Sequence, residues 1–409
     1  MDNNSIHTTV PQLRFPIFAN EREWKEAKVG DVINTITPPK KLNSSEYEKT
    51  GKYPIIDQSQ NFICGYSDDE DALMNHNNED LIVFGDHTCV LKFVSFPFIQ
   101  GADGIKIIKS KDSNKLIESF LFQSLQNNPV VSREYKRHFS ELKEKEFCFS
   151  HSIVEQQKIA SCLFSMDAYI SSTKEKLELL KTYKKGLMQK LFPAKGKKLP
   201  ELRFKEFEKE GQWVEKRLGE VAEVFQGYGF PEKLQGKTKG KYPFIKVSDI
   251  SAATTKGCRY INNAVNYIDE EDLDVLKASP FPIGTIVFAK IGEAIRLNRR
   301  VILKQESLID NNVAGVKAIL NLSDDDFLYY IMLMIDLVKY AGGVVPAVKK
   351  TSIEEIEVLL PPDKDLLEQR KIADFLNSID EMINQYSNKI ALLELYKKGL
   401  MQQLLPTSK

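Results

Sequence analysis

Apolar residues recur at alternating spacings of four and three along two long segments, residues 155–193 and 368–406. This spacing is a heptad seam sustained over more than four repeats, which is typical of coiled-coil helices. Thr173, Lys184 and Lys397 interrupt the apolar seam, and Pro193 and Pro406 end the two segments in the same register. The predicted seam residues are Ile159, Leu163, Met166, Ile170, Leu177, Leu180, Leu187 and Leu191 in the first segment, and Ile372, Leu376, Ile379, Ile383, Ile390, Leu393, Leu400 and Leu404 in the second.

The two helical segments are copies of one sequence, because 21 of their 39 positions are identical at a shift of 213 residues. A second pair of copies lies upstream, where VPQLRF at 10–15 matches LPELRF at 199–204 and Trp24 matches Trp213, at a shift of 189. A long-period duplication of this kind predicts two copies of one plan, each with a globular head of roughly 150 residues and a helix of roughly 40.

Chain order defines the expected domains. We predict a first head at 1–152, a central helix at 153–193, a linker at 194–199, a second head at 200–363, a C-terminal helix at 364–406 and a tail at 407–409. The first helix leaves head one and ends just before head two. If the second helix pairs with it within the chain, the pairing is antiparallel, and an approximate two-fold axis relates the heads.

The heads alternate strand-like and helix-like patterns. Strand-like runs are expected at 29–36 and 218–225, after the GKYP turns at 51–56 and 240–250, at 81–86 and 284–290, and at 102–108 and 313–320, with a helix at 325–341. This mixture predicts an α/β (mixed α+β) head with a mixed sheet. The shift between the copies changes from 189 to about 204 inside the heads, so the loops differ, and two similar scaffolds with different loops imply two different targets.

Composition restricts the function classes. The chain has 57 basic and 57 acidic residues, which argues against a general polyanion binder. Local basic runs remain at 181–198 and 290–304, for which a solvated surface is the alternative explanation. The absence of a long apolar run, the polar N-terminus and five cysteines without metal or disulfide spacing predict a cytoplasmic protein with reduced thiols and no membrane partner.

Catalytic motifs are missing from the sequence. Residues 236–238 have the Gly-Lys-Thr tail of a phosphate-binding loop, but Pro231 occupies the position of its first glycine. FQGYGF at 225–230 looks like a methyltransferase cofactor loop, yet Pro231 and a loop follow it where a helix is needed. The histidines lack metal spacing. We therefore expect no active site, no metal and no cofactor bound by this chain.

Several motifs together resemble a known family. The LRF, Trp and LGEV openings of both heads, YPFIKVSDI at 242–250, GGVVPAVKK at 342–350, LPP at 360–362, EQRKIADFL at 368–376 and the KKGLMQ helix endings closely resemble the specificity subunit of type I restriction–modification systems. The similarity covers essentially the whole chain. It departs before the first helix, where residues 132–157 lack the Leu-Pro-Pro element and match the second copy poorly.

The resemblance implies two target recognition domains joined by two helices in an antiparallel coiled coil. It also implies a non-catalytic subunit that recognises a bipartite sequence in double-stranded DNA, one half per head. Its partners would be two methyltransferase subunits and two ATP-driven restriction subunits, which would bring adenosylmethionine, ATP and Mg. The alternatives are a coiled-coil scaffold whose heads bind other proteins, and an enzyme with an unrecognised site, which the motif search disfavours.

Base contacts are expected from polar and basic side chains in the variable loops, where arginine favours guanine and amides favour adenine. Ordinary solvated surface is the alternative for each. The candidates are Lys40, Lys41, Gln58, Gln60 and Asn61 in head one, and Lys246, Ser248, Lys290, Arg296, Asn298, Arg299 and Arg300 in head two. The first helix, about 50 Å long at about 1.5 Å per residue, would separate the half-targets by several base pairs.

Overall fold

The computed structural model describes residues 10–74, 79–132, 136–362 and 365–406. The chain forms two compact units. The first comprises Met1–Glu175 with Asn388–Lys409, and the second comprises Lys176–Ser387. Each unit therefore contains one head and parts of both long helices. Among the described residues, no helix is long and apolar enough to cross a membrane.

The first unit begins with the head-one elements, in which short strands alternate with brief helices. In chain order they are β1 (Lys25–Lys28), α1 (Val29–Val32), β2 (Ile33–Ile36), β3 (Lys41–Leu42), β4 (Tyr53–Ile56), β5 (Gly65–Ser67), β6 (Leu73–Met74), β7 (Leu81–Gly85), β8 (Leu91–Val94), β9 (Phe98–Gly101), β10 (Ile105–Ser110), α2 (Glu118–Asn127), α3 (Phe139–Glu144), β11 (Glu146–Phe149) and the long helix α4 (Ile153–Leu191).

Head one is built on an antiparallel sheet with strand order β2-β10-β7-β8. A second, mixed sheet has the order β3-β9-β4-β5, with β4 and β9 parallel and β6 also paired to β9. All residues of β7 are buried, which explains its continuous apolar run. A separate pair, β1 with β11, joins the beginning of the head to its end.

The second unit repeats this plan with additional elements. In chain order they are β12 (Val214–Arg217), α5 (Leu218–Val221), β13 (Ala222–Gln226), β14 (Tyr242–Ile245), α6 (Val247–Thr255), β15 (Tyr260–Ile261), β16 (Asn266–Ile268), α7 (Glu270–Leu276), β17 (Ile286–Ala289), β18 (Arg300–Leu303), β19 (Leu308–Ile309), β20 (Val313–Ala318), α8 (Asp325–Met334), α9 (Lys350–Glu354), β21 (Glu357–Leu360) and the long helix α10 (Leu367–Leu404).

The sheets of head two match those of head one. Strand order β13-β20-β17-β18 reproduces β2-β10-β7-β8, with β15 added at its edge, and β12 pairs with β21 as β1 pairs with β11. The mixed sheet β16-β14-β19 keeps a parallel pair, β14 with β19. The internal repeat inferred from the sequence is thus present in the strand order, and the mixed helix–sheet architecture predicted for the heads is observed.

The long helices pack against each other in each unit and bury their apolar seams. In the first unit, Asp167 of α4 pairs with Lys397 of α10 at 2.5 Å, and Lys174 pairs with Glu394 at 2.7 Å, so residue numbers rise along one helix as they fall along the other. The helices are therefore antiparallel. Ile159, Leu163, Met401 and Leu404 join the head-one core, and all the predicted seam positions are buried or half-buried.

The equivalent arrangement occurs in the second unit. Lys184 of α4 pairs with Asp380 of α10 at 2.5 Å. This ion pair is equivalent to that of Lys397 with Asp167 in the first unit, except that the lysine now lies on α4 and the aspartate on α10. Leu187 and Leu191 pack with Ile372, Leu376 and Ile379 in the head-two core. The lysines that interrupt the apolar seam are therefore each neutralised by an aspartate of the facing helix, which offsets part of the cost of their burial.

Three local expectations need correction. The runs at 29–36 and 218–225 do not form continuous strands, since their first four residues are the helical turns α1 and α5. In the second of these, Glu220 accepts the backbone N–H of Arg217 at 2.7 Å and so favours the turn. Residues 247–250 open α6 instead of extending β14. The helix expected at 325–341 ends at Met334, and Leu337–Tyr340 forms a separate 3-10 turn. Head one ends like head two despite its missing Leu-Pro-Pro, because β11 occupies the position of β21.

Candidate nucleic-acid interface

In head one, three loops meet where strands of the two sheets end, at a place that we call the edge of the head. Strands β4 and β9 are parallel neighbours and end together at Ile56 and Gly101, while β7 ends at Gly85 opposite the start of β10. The loops that follow, 57–64, 86–90 and 102–104, therefore lie side by side. Loops at the carboxyl ends of parallel strands are common ligand sites, since they are held on a rigid frame while their sequence varies.

Gln58 connects these three loops. Its side-chain oxygen accepts the backbone N–H of His87 at 3.3 Å, and its amide donates to the carbonyl of Asp103 at 3.4 Å. Thr88 donates its hydroxyl to the backbone carbonyl of Gln58 at 2.7 Å. Gly104 has a positive φ of 89°, and a Cβ there would lie 2.8 Å from the Gln58 amide nitrogen, so a glycine is needed for the loops to approach this closely.

The other head-one candidates surround this edge. Lys41 extends to the Asp103 carboxylate at 3.1 Å, so Lys41 and Gln58 converge on the same loop. Gln60 and Asn61 are exposed at the tip of the 57–64 loop. Lys40 turns away to Asp69 at 2.6 Å. Head one thus brings together four of its five candidates, of which the exposed amides are the side chains suited to base recognition.

Head two forms the same edge from its own strands. The parallel pair β14 and β19 ends at Ile245 and Ile309, and β17 ends opposite the start of β20. Lys246 is the N-cap residue of α6, Ser248 lies on the first turn of that helix, and Lys290 directly follows β17. The backbone N–H of Lys290 donates to the carbonyl of Asn312 at 2.9 Å, which places the loop 310–312 beside it. Burial lowers the pKa of Lys290, and nearby Asp310 opposes that change.

The sequence reasoning missed several residues of this edge. Asn311 and Asn312 are exposed between β19 and β20, beside Lys290. Gly227, in the loop that follows β13, has no Cβ and so lets this loop contact the 310–312 loop. A Cβ at Gly227 would lie 1.9 Å from the backbone oxygen of Asp310. Lys246 lies 5.0 Å from the ring of Phe230 in that loop. These residues become predictable once β14 and β19 are known to be parallel, a fact that sequence periodicity does not supply.

The four remaining candidates lie near the start of β18 and have different environments. Arg296 is exposed and pairs with Glu293 at 2.8 Å, and Arg299 is half-buried. Asn298 has a positive φ of 50° and donates its amide to the carbonyl of Leu333 at 3.0 Å. Of these four residues, Arg296 is the one that is exposed.

Arg300 is 3% exposed and its guanidinium is engaged inside the head. It donates to the carbonyls of Met332 at 3.1 Å and Ile335 at 3.1 Å, and to the side chain of Asn298 at 2.6 Å. A cation at these carbonyls stabilises the C-terminal end of α8. Burial lowers the pKa of Arg300 to about 10. The contacts of Arg300 thus give it a structural role inside head two.

The beginning of each long helix is fixed to its head by a buried carboxylate. The carboxylate of Glu155 accepts two hydrogen bonds from the guanidinium of Arg14, at 2.7 and 2.9 Å, and one from the indole N–H of Trp24 at 3.3 Å. Glu368 accepts Arg203 at 2.8 and 2.7 Å and the indole N–H of Trp213 at 3.3 Å. The two sites are equivalent under the shifts of 189 and 213 found in the sequence. Their residues therefore belong to the shared frame of the heads and lie apart from the variable edge.

Comparison with known proteins decides the family. A model of the type I restriction modification DNA specificity domain matches residues 21–182 and again residues 210–395, which together make up most of the chain. The chain belongs to this family. The two matches fall on the two copies found in the sequence, so each head of this specificity protein, with part of its helix, is one family domain. Members of the family are DNA-recognition proteins and not the catalytic subunits of their complexes.

Individual relatives agree with this assignment. The specificity protein is 27% identical over 259 residues to a putative type I restriction enzyme specificity subunit, MjaX, of Methanocaldococcus jannaschii, a match that covers 61% of this chain and 56% of that one. It is 22% identical over 385 residues to the Escherichia coli EcoR124I/EcoR124II specificity subunit, covering 89% and 88% of the two chains. The crystal structure of an S subunit from M. genitalium has the same fold, with a TM-score of 0.64, 16% identity and coverage of 98% and 100%.

Proposed function

We propose that this chain is the sequence-recognising subunit of a type I restriction–modification complex, and that each head recognises one half of a bipartite target in double-stranded DNA. The observation that carries the proposal is the equivalence of the two loop edges. In both heads, the segment in which the two copies stop matching follows the carboxyl end of a parallel strand, β4 or β14, on a frame that is otherwise repeated. A shared frame with different loops suits two half-targets of different sequence.

The residues at the edges suit base recognition in the major groove. In head one, Gln60 and Asn61 supply exposed amides, which pair with adenine when they approach it in two-point fashion. Gln58 holds the three loops together beside them. In head two, Lys246 and Lys290 supply cations next to the exposed amides of Asn311 and Asn312. Because the net charge is zero, affinity depends on these local cations and on partner subunits more than on the overall field.

The partners we propose are two methyltransferase subunits and, in the complete complex, two ATP-driven restriction subunits. They would bring adenosylmethionine, ATP and Mg, and the complex would act in the cytoplasm. An exposed apolar face that is duplicated on the long helices supports two copies of one partner. Leu179 and Tyr183 of α4 are more than half exposed, and so are Leu392 and Tyr396 of α10 at the equivalent positions. Apolar residues left exposed at repeated positions are typical of protein interfaces.

The test is a genome-wide map of methylated adenines in cells that produce this chain with its methyltransferase subunit. We expect a split motif that disappears when the gene for this chain is deleted. Replacement of residues 200–362 by the corresponding head of another family member should change one half of that motif and leave the other. An unchanged motif after deletion, with an active methyltransferase, would contradict the proposal and favour a scaffold protein.

A further inference from the structure

A lysine lies in the interior of head one, directly beneath the proposed recognition loop. Lys92 is the second residue of β8 and is 3% exposed, in a strand that pairs with the fully buried β7. An ammonium group loses much of its hydration in such a position, which is unfavourable unless hydrogen bonds replace the water. Burial lowers the pKa of Lys92, and nearby Cys64 and Asp57 oppose that change.

The ammonium of Lys92 bonds to the loop and not to the sheet. It donates to the backbone carbonyls of Asp57 at 2.7 Å and Asn61 at 2.5 Å, and it lies 3.9 Å from the sulfur of Cys64. Asp57 and Asn61 stand at the two ends of the segment that carries Gln58 and Gln60. One buried cation therefore fixes the separation of the two ends of the segment from which the proposed base-recognising amides extend.

The loop itself is braced around the same point. The side chain of Asp57 accepts the backbone N–H of Ser59 at 2.8 Å and the thiol of Cys64 at 2.8 Å. At the outer side of the loop, Phe62 packs edge-on against Phe96 with ring centroids 6.1 Å apart. The loop is thus held in one conformation from below by Lys92 and from within by Asp57, which reduces the conformational entropy lost on binding.

The fold does not need a lysine at this position. In head one, Lys92 stands opposite Val83 across β7 and β8. In head two, the residue at the same place in the register is Val301, opposite Val287, and Val301 is 0% exposed. The same sheet therefore forms with valine there. The lysine is specific to head one, as is the loop that it holds.

We propose that Lys92 is a positioning residue for DNA recognition by head one, which sets the conformation of the loop 57–64 without contacting DNA. This inference rests on the proposed function. Lys92 is then a determinant of one half-target only. Its role therefore differs from that of a surface lysine bound to phosphate. A phosphate contact affects all sequences alike and adds to the salt dependence of binding.

The test compares the complete complex with its Lys92→Met form, in which the methionine retains an apolar chain of similar length. Binding is measured to duplexes with single substitutions in each half-target, over a series of salt concentrations. We expect discrimination in the first half-target to fall by about tenfold or more, the effect of misplacing one two-point base contact. Discrimination in the second half-target and the slope of log affinity against log salt should not change.

Two further variants keep the result interpretable. Lys49→Met removes an exposed lysine of the same head and should leave discrimination in both half-targets intact. Asp57→Ala removes the internal brace of the loop outside the sheet core and should relax the first half-target in the same way, even if Lys92→Met does not fold.

Four outcomes are decisive. Unchanged discrimination with Lys92→Met folded, or a reduced salt slope with unchanged discrimination, would overturn the inference. Unchanged discrimination with Asp57→Ala would overturn it as well. Absence of discrimination in both half-targets for the unaltered complex would instead refute the proposed function.

Discussion

Removal of the arginine that pairs with the buried carboxylate at the start of α10 should strongly destabilise the second unit. Glu368 is 0% exposed and receives two hydrogen bonds from Arg203, at 2.8 and 2.7 Å, and one from the indole of Trp213 at 3.3 Å. Arg203→Met removes the guanidinium that is hydrogen-bonded to this carboxylate. Loss of one partner from a buried pair costs about 3–5 kcal/mol, because the remaining charge stays desolvated.

The protein supplies its own reporter for this measurement. The chain has two tryptophans, Trp24 and Trp213, and each donates to one of the two buried glutamates. In a Trp24→Phe background, the fluorescence of Trp213 during urea unfolding follows the altered site alone. Arg217→Met removes an exposed arginine of the same unit and is the matched control, expected within about 0.5 kcal/mol of the parent.

A double-mutant cycle tests the reasoning itself. If Arg203 acts mainly by neutralising Glu368, then Arg203→Met combined with Glu368→Met should cost less than the sum of the single changes, by about 2–3 kcal/mol. The equivalent Arg14→Met, followed through Trp24, should show a loss of similar size in the first unit. A loss below about 1 kcal/mol for Arg203→Met, or additive single changes, would refute a coupled buried pair.

Three further predictions follow from other sites. Gln156→Leu leaves three backbone groups of head one without their partners and should cost about 2–4 kcal/mol in urea unfolding followed by Trp24, whereas a loss under about 1 kcal/mol would contradict its bracing role. Gly227→Ala should destabilise head two by about 1–3 kcal/mol in urea unfolding and weaken recognition of its half-target. The control is Gly229→Ala, whose added Cβ meets no atom within 4 Å and which should have neither effect. Equal effects of the two changes would contradict the close-approach argument. Burial lowers the pKa of Lys184 from its ordinary 10.5, so the unfolded chain binds the proton more tightly and stability should rise with pH between the lowered pKa and 10.5. In denaturant curves taken from about pH 8 upward, Lys184→Met should remove this increase. Identical pH profiles for the two proteins would contradict the argument.

The sequence was sufficient for the repeat and for the helices because both are periodic over many residues. The heptad seam predicted the two long helices, which end at Leu191 and Leu404, two residues before each proline. The buried strands β7 and β17 were predicted because their apolar runs are continuous. Repetition over a long segment averages out local propensity, and so these elements are determined by pattern alone.

The candidate site was harder to predict, because proximity across the sheets depends on strand order. The chain gives no sign that β4 and β9 are parallel neighbours, although this pairing brings Gln58 next to Asp103. Residue type also did not predict the environment of Arg300, which is buried. An arginine in a basic run suggests an exposed cation, yet this guanidinium stabilises the C-terminal end of α8 from inside the head. A guanidinium can donate either to the free carbonyls of a helix terminus or to water, and sequence patterns do not show which of the two it does.

Glu155, Glu368 and Lys92 are buried polar residues that differ in what they hold. Glu155 and Glu368 occur at equivalent positions and fix each helix to its head, so they belong to the frame that both copies share. Lys92 has no counterpart, since Val301 occupies its place, and it holds a loop that head two does not have. A polar group that the fold can replace by valine is maintained for a local purpose, because its burial costs stability that the sheet does not require. A new half-target is therefore expected to need a loop together with the buried residue beneath it, so that transfer of the exposed residues of the 57–64 loop alone would not transfer its specificity.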